Sequence, residues 1–224
     1  MDEPESKRRA GRPSTAVLTP ERIINAAYQV ADRAGGDFTI AGIARTLGVK
    51  PPAIYNYFAS KDDVIAGMRG QLTLRIGDHG FDRLPWHEAV LPWARAYLEV
   101  LGRSPGTIAA LATHPVDSEP ASIADYERIV QSMLRAGAPE ALVVPALVAL
   151  ESFIIGSALD ALAPEVNMRP ERSPEVAPGL LRAEELAREA AQARGLSMAR
   201  GNFEFGLSAL VAGLRVQFTE SYKQ

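Results

Sequence analysis

Cysteine is absent from the 224 residues. Disulfides, thiolate zinc sites and cysteine nucleophiles are therefore excluded, and the chain suits a reducing, cytoplasmic setting. Histidine is scarce, at three residues: His79, His87 and His114. His114, Asp117 and Glu119 share a proline-flanked stretch, but their spacing is a weak metal pattern. A serine-nucleophile motif, a phosphate loop and a dinucleotide fingerprint are also missing. No convergent reactive set is left, so the chain is not read as an enzyme, and neither metal nor cofactor is expected. No apolar stretch follows Lys7, Arg8 and Arg9, which argues against a secretory signal. The longest apolar run, 141–163, is interrupted by Pro145, Glu151, Gly156 and Asp160. It reads as a buried helix, and no membrane partner is expected. Alternating strand patterns and repeats of 20–50 residues are absent as well.

What is present is unevenly charged. The net charge is −3, yet residues 6–75 hold eleven Lys/Arg against five Asp/Glu, and residues 76–224 hold thirteen against nineteen. A basic first third suggests that this part alone meets a polyanion, although chance scatter produces similar imbalances.

Punctuation by proline and glycine divides the chain into helices, giving an all-α fold. Residues 1–18 are polar, basic and Pro/Gly-containing, and are expected to form a flexible arm. Thr19, Pro20 and Glu21 supply a cap, a first-position proline and a first-turn acid for a helix that Gly35-Gly36 ends. Thr39 caps a second, short helix that Gly48 breaks. Pro51 and Pro52 can stand only at the start of a third helix, expected over 53–58. Ser60 caps a fourth, running to Ile76, with Asp62 and Asp63 in its first turn. Further helices are expected near 85–103, 105–114, 120–137, 139–163, 180–194 and 197–222. Four prolines mark 164–179 as a mobile loop. Residues 19–76 form one domain and 77–224 a larger second one. The acid pairs Asp62-Asp63 and Glu184-Glu185 read as helix-start and solvated charges.

The strongest pattern lies at 39–58. Two short helices joined by a glycine turn can place the second in a DNA major groove. Ile43, Leu47, Val49 and Ile54 would pack the pair. Lys50, Pro51, Pro52, Ala53, Tyr55, Asn56 and Tyr57 remain for the outer surface. The cation and phenols suit phosphates. Asn56 can pair with an adenine edge, and Pro52 or Ala53 can touch a thymine methyl. Tyr57 and Phe58 also fit a hydrophobic core, the favoured reading for Phe58.

These residues resemble the TetR family of repressors. The family's opening Thr, Leu-Gly-Val turn, Tyr-x-Tyr-Phe helix and following Lys match Thr39, Leu47-Gly48-Val49, Tyr55-Asn56-Tyr57-Phe58 and Lys61. Its frequent Gly-Arg-Pro arm matches Gly11-Arg12-Pro13. The resemblance implies that Thr39, Lys50, Ala53, Tyr55, Asn56 and Lys61 face double-stranded operator DNA. Tyr55 and Lys61 would then hold phosphates, and Arg12 would reach into a neighbouring groove. Two departures stand out. Ala41 occupies a place where the family often has Arg, and Lys50 replaces the usual hydroxyl cap of the recognition helix. That loss costs about 1 kcal/mol of helix start, which Pro51 partly offsets.

The C-terminal part resembles, more weakly, the tetracycline-repressor branch of the family. The pieces are Trp86, Thr113-His114-Pro115, the Phe153 to Gly156 segment and the Phe205 to Phe218 segment. That branch's metal-ligating histidine falls on Ala110, its polar clamp on Gly77 and its pocket asparagine on Trp93. A magnesium–tetracycline ligand is therefore not expected. Trp93, Tyr97, Leu101, Thr113, His114, Tyr126, Met133, Phe153 and Asp160 would line a cavity for a mostly hydrophobic small-molecule effector. Trp93 and Tyr97 also suit ordinary core packing. Helices near 139–163 and 197–222 are more apolar than surface helices need. They imply either intrachain core or a four-helix homodimer interface, and the resemblance favours the dimer. It also implies an allosteric repressor in which ligand moves the 105–114 helix and spreads the recognition helices. The alternative is a helix-turn-helix regulator without a small-molecule effector, set by a protein partner or acting as an activator.

Overall fold

The computed structural model describes residues 17–115, 119–172 and 174–221. Among these residues the fold is all-helical. Arg12 and Asp117 lie outside the described residues.

The first four helices are α1 (Pro20–Arg33), α2 (Ile40–Leu47), α3 (Pro51–Tyr55) and α4 (Lys61–Ile76). Each boundary has a local cause. Thr19 accepts from the Arg22 amide and starts α1. Thr39 does the same for α2 through the Gly42 amide at 3.0 Å. Ser60 and Asp63 form a reciprocal capping box on α4, which satisfies two amides that the helix leaves open. Gly48 ends α2 at φ +67°, a left-handed turn that side chains with a Cβ resist. α3 is shorter than expected and begins earlier, on Pro51 rather than Ala53. The preset φ of Pro51 and Pro52 starts it. The Tyr57 and Phe58 amides both close on the Ile54 carbonyl, tightening the chain out of the helix. Lys50 caps it with no side-chain hydrogen bond. Ile23, Ile43, Ile54 and Ile65 close the core of this unit.

The remaining helices are α5 (Trp86–Arg103), α6 (Ile108–Thr113), α7 (Pro120–Arg135), α8 (Glu140–Asp160), α9 (Pro178–Ala193) and α10 (Met198–Ser221). The expected 105–114 helix is divided, with a 3₁₀ turn at Pro105–Thr107 preceding α6. The reason is a close approach: a Cβ on Gly106 would stand 2.7 Å from the Ala31 carbonyl oxygen and the Asp32 Cα. α4 serves both halves of the molecule. It packs on α1 on one side and on α5, α6 and α7 on the other.

α8 packs against α5 and α10. Leu150 and Ile154 of α8 and Phe203 and Leu207 of α10 are buried, and the Phe153 and Phe203 rings stack at 5.5 Å. α8 has the length and apolarity of a membrane span, with mean hydropathy 2.1. Its buried inner face is that of a core helix. Its outer face leaves Val144, Val148 and Leu159 exposed, and α10 exposes Phe205 and Val216. Glu184 departs from expectation. It is buried, not solvated, because Arg169 and Arg188 both donate to its carboxylate. Those guanidiniums hold its carboxyl below the usual range. Arg169 thereby ties the 164–179 segment to α9.

Candidate DNA-binding face and effector core

The outer surface of α2 and α3 presents the expected residues together. Thr39, Lys50, Pro52, Tyr55 and Asn56 are exposed, and Ala53 is half-buried. Thr39 accepts one amide as a cap, and its hydroxyl proton remains available for a phosphate. The Tyr55 hydroxyl has no partner among the described residues. Tyr57 differs, because its hydroxyl donates to the Leu18 carbonyl at 2.8 Å. It anchors the chain entering α1. Lys61 sits at the first position of α4. Its ammonium is already engaged, 2.7 Å from the Asp37 carboxylate and 5.0 Å from the Phe38 ring centroid. The Lys61 hydrogen bond holds the Asp37 carboxyl below its ordinary value. Arg45, missed by the sequence reading, is exposed on α2 with no ion pair among the described residues. The available signal was a cation on the outer face of a helix whose inner face is Ile43, Ala44 and Leu47.

α6 is held at both ends by the first four helices. Before it, the Gly106 amide donates to Asp32 at the end of α1. After it, Arg69 of α4 donates through Nη2 to the carbonyls of Leu111 and His114, the latter at 2.7 Å. The His114 ring also meets Asp62 in the first turn of α4 at 3.1 Å. A buried guanidinium thus supplies the cap that α6's last carbonyls require.

Arg69 opens on a polar centre inside an apolar core. Tyr97 of α5 and Tyr126 of α7 both donate to Glu151 of α8. Burial pushes the Glu151 carboxyl up, against the tyrosine hydrogen bonds and the Arg69 charge that pull it down. Burial raises both tyrosines as well. Nearby, burial lifts the Asp125 carboxyl while Arg128 counteracts it from 2.6 Å. Thr73 and Ser122 share a hydrogen bond at 2.9 Å. The space left between α4, α5 and α7 is about 10 Å³, room for a single water.

The expected effector lining is only partly brought together. Trp93, Tyr97 and Tyr126 line this cavity. Leu101 and Met133 are buried core residues outside its lining. The remaining four stand apart from it. Phe153 is spent on the Phe203 stack. Thr113 is exposed and donates to its own helix, at the Ala109 carbonyl. His114 turns toward Asp62. Asp160 is exposed at the end of α8. The reason is geometric: α6 ends with its last side chains facing out, and only its carbonyls point inward, to Arg69. The sequence reading missed Arg69, Asp125 and Glu151. Arg69 falls among Ile65, Met68, Leu72 and Ile76 at helical spacing, and Glu151 is the one acid between Glu140 and Asp160 in α8. A charge on an apolar face was the available signal. No metal-holding cluster of acids and histidines exists among the described residues.

A helix-turn-helix with a half-exposed phenol and cations on its outer face, joined by a shared helix to a larger helical core, defines a two-domain DNA-binding regulator. Residues 23–68 match the bacterial regulatory proteins of the tetR family, and residues 82–218 match the tetracyclin repressor-like C-terminal domain. The chain belongs to the TetR family, whose members are transcriptional regulators and not enzymes. It is 23% identical over 161 residues to the HTH-type transcriptional repressor DrrR1 of Streptomyces coeruleorubidus, matching 69% of this chain. The match spans 57% of that relative's length. Among solved structures it is similar to Streptomyces coelicolor ActR in complex with actinorhodin, at TM-score 0.68 and 18% identity over 90% of this chain and 99% of that one. It is also similar to BioQ with its double-stranded DNA operator, at TM-score 0.60 and 20% identity over 88% and 98%. BioQ of Mycobacterium smegmatis matches too. At these identities the likeness shows the fold.

Proposed function

We propose that the chain acts in the cytoplasm as a homodimeric transcriptional repressor. In this reading it binds a two-fold operator and leaves it when a small organic effector occupies the core. The observation that carries this reading is the double tether of α6. Any guest that moves α6 pulls on Asp32 of α1 and on Asp62 and Arg69 of α4 at once, and these helices hold the recognition unit. The recognition helices of a dimer must sit about 34–36 Å apart to meet successive major grooves. A small rotation of α4 is enough to lose that spacing. The dimer reading rests on the outer faces of α8 and α10. Val144, Val148, Phe205 and Val216 are large, apolar and exposed, and two such helices from each chain make a four-helix interface. DNA contact is assigned to Thr39, Lys50, Pro52, Ala53, Tyr55, Asn56 and Lys61, with Arg12 from the arm. The small volume of the core cavity favours a second reading, a regulator controlled without a small molecule.

The test is a mobility shift on the DNA flanking the gene, with salt titration and unlabelled competitor. Competitor-resistant binding at about 10⁻⁸–10⁻¹¹ M is expected. Binding without sequence preference there and in a genome-wide selection would remove specific recognition from the account. A melting temperature unmoved by every compound in a broad screen would favour the second reading, because a ligand of the folded state must stabilise it.

A further inference from the structure

Two buried donors in the core lack acceptors. Arg69 is 7% exposed and Trp93 is 2% exposed. Arg69 Nε and Trp93 Nε1 have no hydrogen-bond partner, and both side chains line the same cavity. The Trp93 N–H lies close enough to Asp125 to steady its carboxylate, but it makes no hydrogen bond of normal geometry. Buried N–H groups are rarely left open, because each has given up its water. One oxygen of each nearby acid already has partners: Glu151 Oε1 accepts from Tyr97 and Tyr126, and Asp125 Oδ1 from Arg128. Neither open donor makes a hydrogen bond to these acids, so the site has two donors to offer a guest. Its walls are aromatic, with Trp93 and Tyr97 packed edge to face at 5.5 Å. Arg69 is also the residue whose remaining N–H bonds cap α6.

We propose that the effector is a planar aromatic compound bearing a carboxylate, phenolate or quinone oxygen, and that this oxygen takes the Arg69 guanidinium from the carbonyls of Leu111 and His114. The inference rests on the effector reading above and names the chemistry of that site. Arg69 has one guanidinium, and its fork serves either α6 or a guest acceptor. A carboxylate is the better partner, because both members of that pair are charged and the fork matches both oxygens. The Trp93 N–H supplies a second donor. The cavity must widen to admit a guest, and α6, which Arg69 caps, is the element most easily displaced, being six residues long and burying only Ile108 and Leu111. Losing its cap frees α6 to move, so binding and release are one exchange. A cationic guest is disfavoured here, because Arg69 repels it and the two open donors offer it no bond.

The sequence contains two tryptophans, Trp86 and Trp93. A Trp86→Phe variant leaves Trp93 as the sole fluorescent reporter, inside the site. Two three-ring probes of opposite polar chemistry are titrated: anthraquinone-2-carboxylate and anthracen-9-ylmethylammonium. Operator binding is measured on the same preparation. The carboxylate is expected to quench Trp93 at a concentration at least about tenfold lower than the cation, and to weaken operator binding. Arg69→Met is expected to reduce that preference to within about threefold, and Arg69→Lys to restore part of it. The pair of variants separates loss of the donor from loss of fold, which circular dichroism checks. Equal or tighter binding of the cation, a preference that survives Arg69→Met, or quenching by neither probe would each overturn the inference. If the operator is still bound, the inference falls alone. If it is not, the repressor reading falls with it.

Discussion

Lys61 is held by one anion and, in the proposed operator complex, would meet a second. Its ammonium lies against Asp37 at 2.7 Å, while the start of α4 and the adjoining recognition helix favour a phosphate at the same place. Both side chains are well exposed, so the intramolecular pair is weak and screened. Asp37→Asn should free the lysine and remove a repelling charge. Operator affinity should rise by up to about fivefold, read by mobility shift at low salt, with the effect shrinking as salt increases. Unchanged or weaker affinity would show that Lys61 does not meet the DNA.

Glu151 is a second residue whose surroundings pull in opposite directions. Burial wins, so its folded carboxyl titrates above the value of 4.5 expected for an exposed glutamate. Such a group binds its proton more tightly when folded. Its contribution is unfavourable once pH exceeds the folded value and is absent below 4.5, where both states are protonated. Glu151→Gln keeps an oxygen for both tyrosine hydroxyls. The variant should melt at a higher temperature than the parent at pH 7, with the gain vanishing near pH 4. A parent that is more stable at pH 7 would mean that Arg69 contributes more than burial costs.

Among the elements, the 3₁₀ turn before α6 makes a close backbone contact between the two halves. Gly106 stands where a Cβ would press on the backbone of Ala31 and Asp32, and backbone cannot swing aside as a side chain does. Gly106→Ala should cost about 1–3 kcal/mol of stability, a fall of several degrees in melting temperature for a chain of this size. It should also change operator affinity even in preparations fully folded at the assay temperature. A variant with normal affinity would uncouple this turn from the recognition unit. On the opposite side, Phe205 is 78% exposed on α10, a large aromatic ring left in water. Phe205→Glu should convert a dimer near 48 kDa into a monomer of 24.1 kDa in light scattering, and lower operator affinity by about 100-fold or more. A parent already monomeric at micromolar concentration would remove the four-helix interface.

Over the whole molecule, charge and fold divide the labour. The basic first third belongs to a chain of net charge −3, so in the proposed reading DNA is attracted by that part alone. The logarithm of operator affinity should fall linearly with the logarithm of salt, by about 0.9 per phosphate neutralised. Removing one phosphate contact with Lys61→Gln should lower that slope by about one per protomer. A slope that ignores the first third and responds to α9 or α10 would contradict this division.

The sequence alone determined the helices and their order, because caps, prolines and glycines act within a few residues of chain. Thr19, Thr39, Ser60 and Gly48 each stop or start a helix by local hydrogen bonding or φ. The exposed outer face of α3 was legible for the same reason: the helix is so short that its exposed residues are close in sequence. The polar centre of the core was not. Its members come from α4, α5, α7 and α8, and nothing local says that Arg69 meets the carbonyls of Leu111 and His114. Only the tertiary structure decided that Thr113, His114, Phe153 and Asp160 stand away from the cavity while Arg69, Asp125 and Glu151 gather around it. It also decided that Glu184 is buried. The physical reason is that a helix turns each residue by a fixed angle, but which neighbour that residue meets depends on how distant helices pack. A buried charge is stable only where that packing brings it a partner.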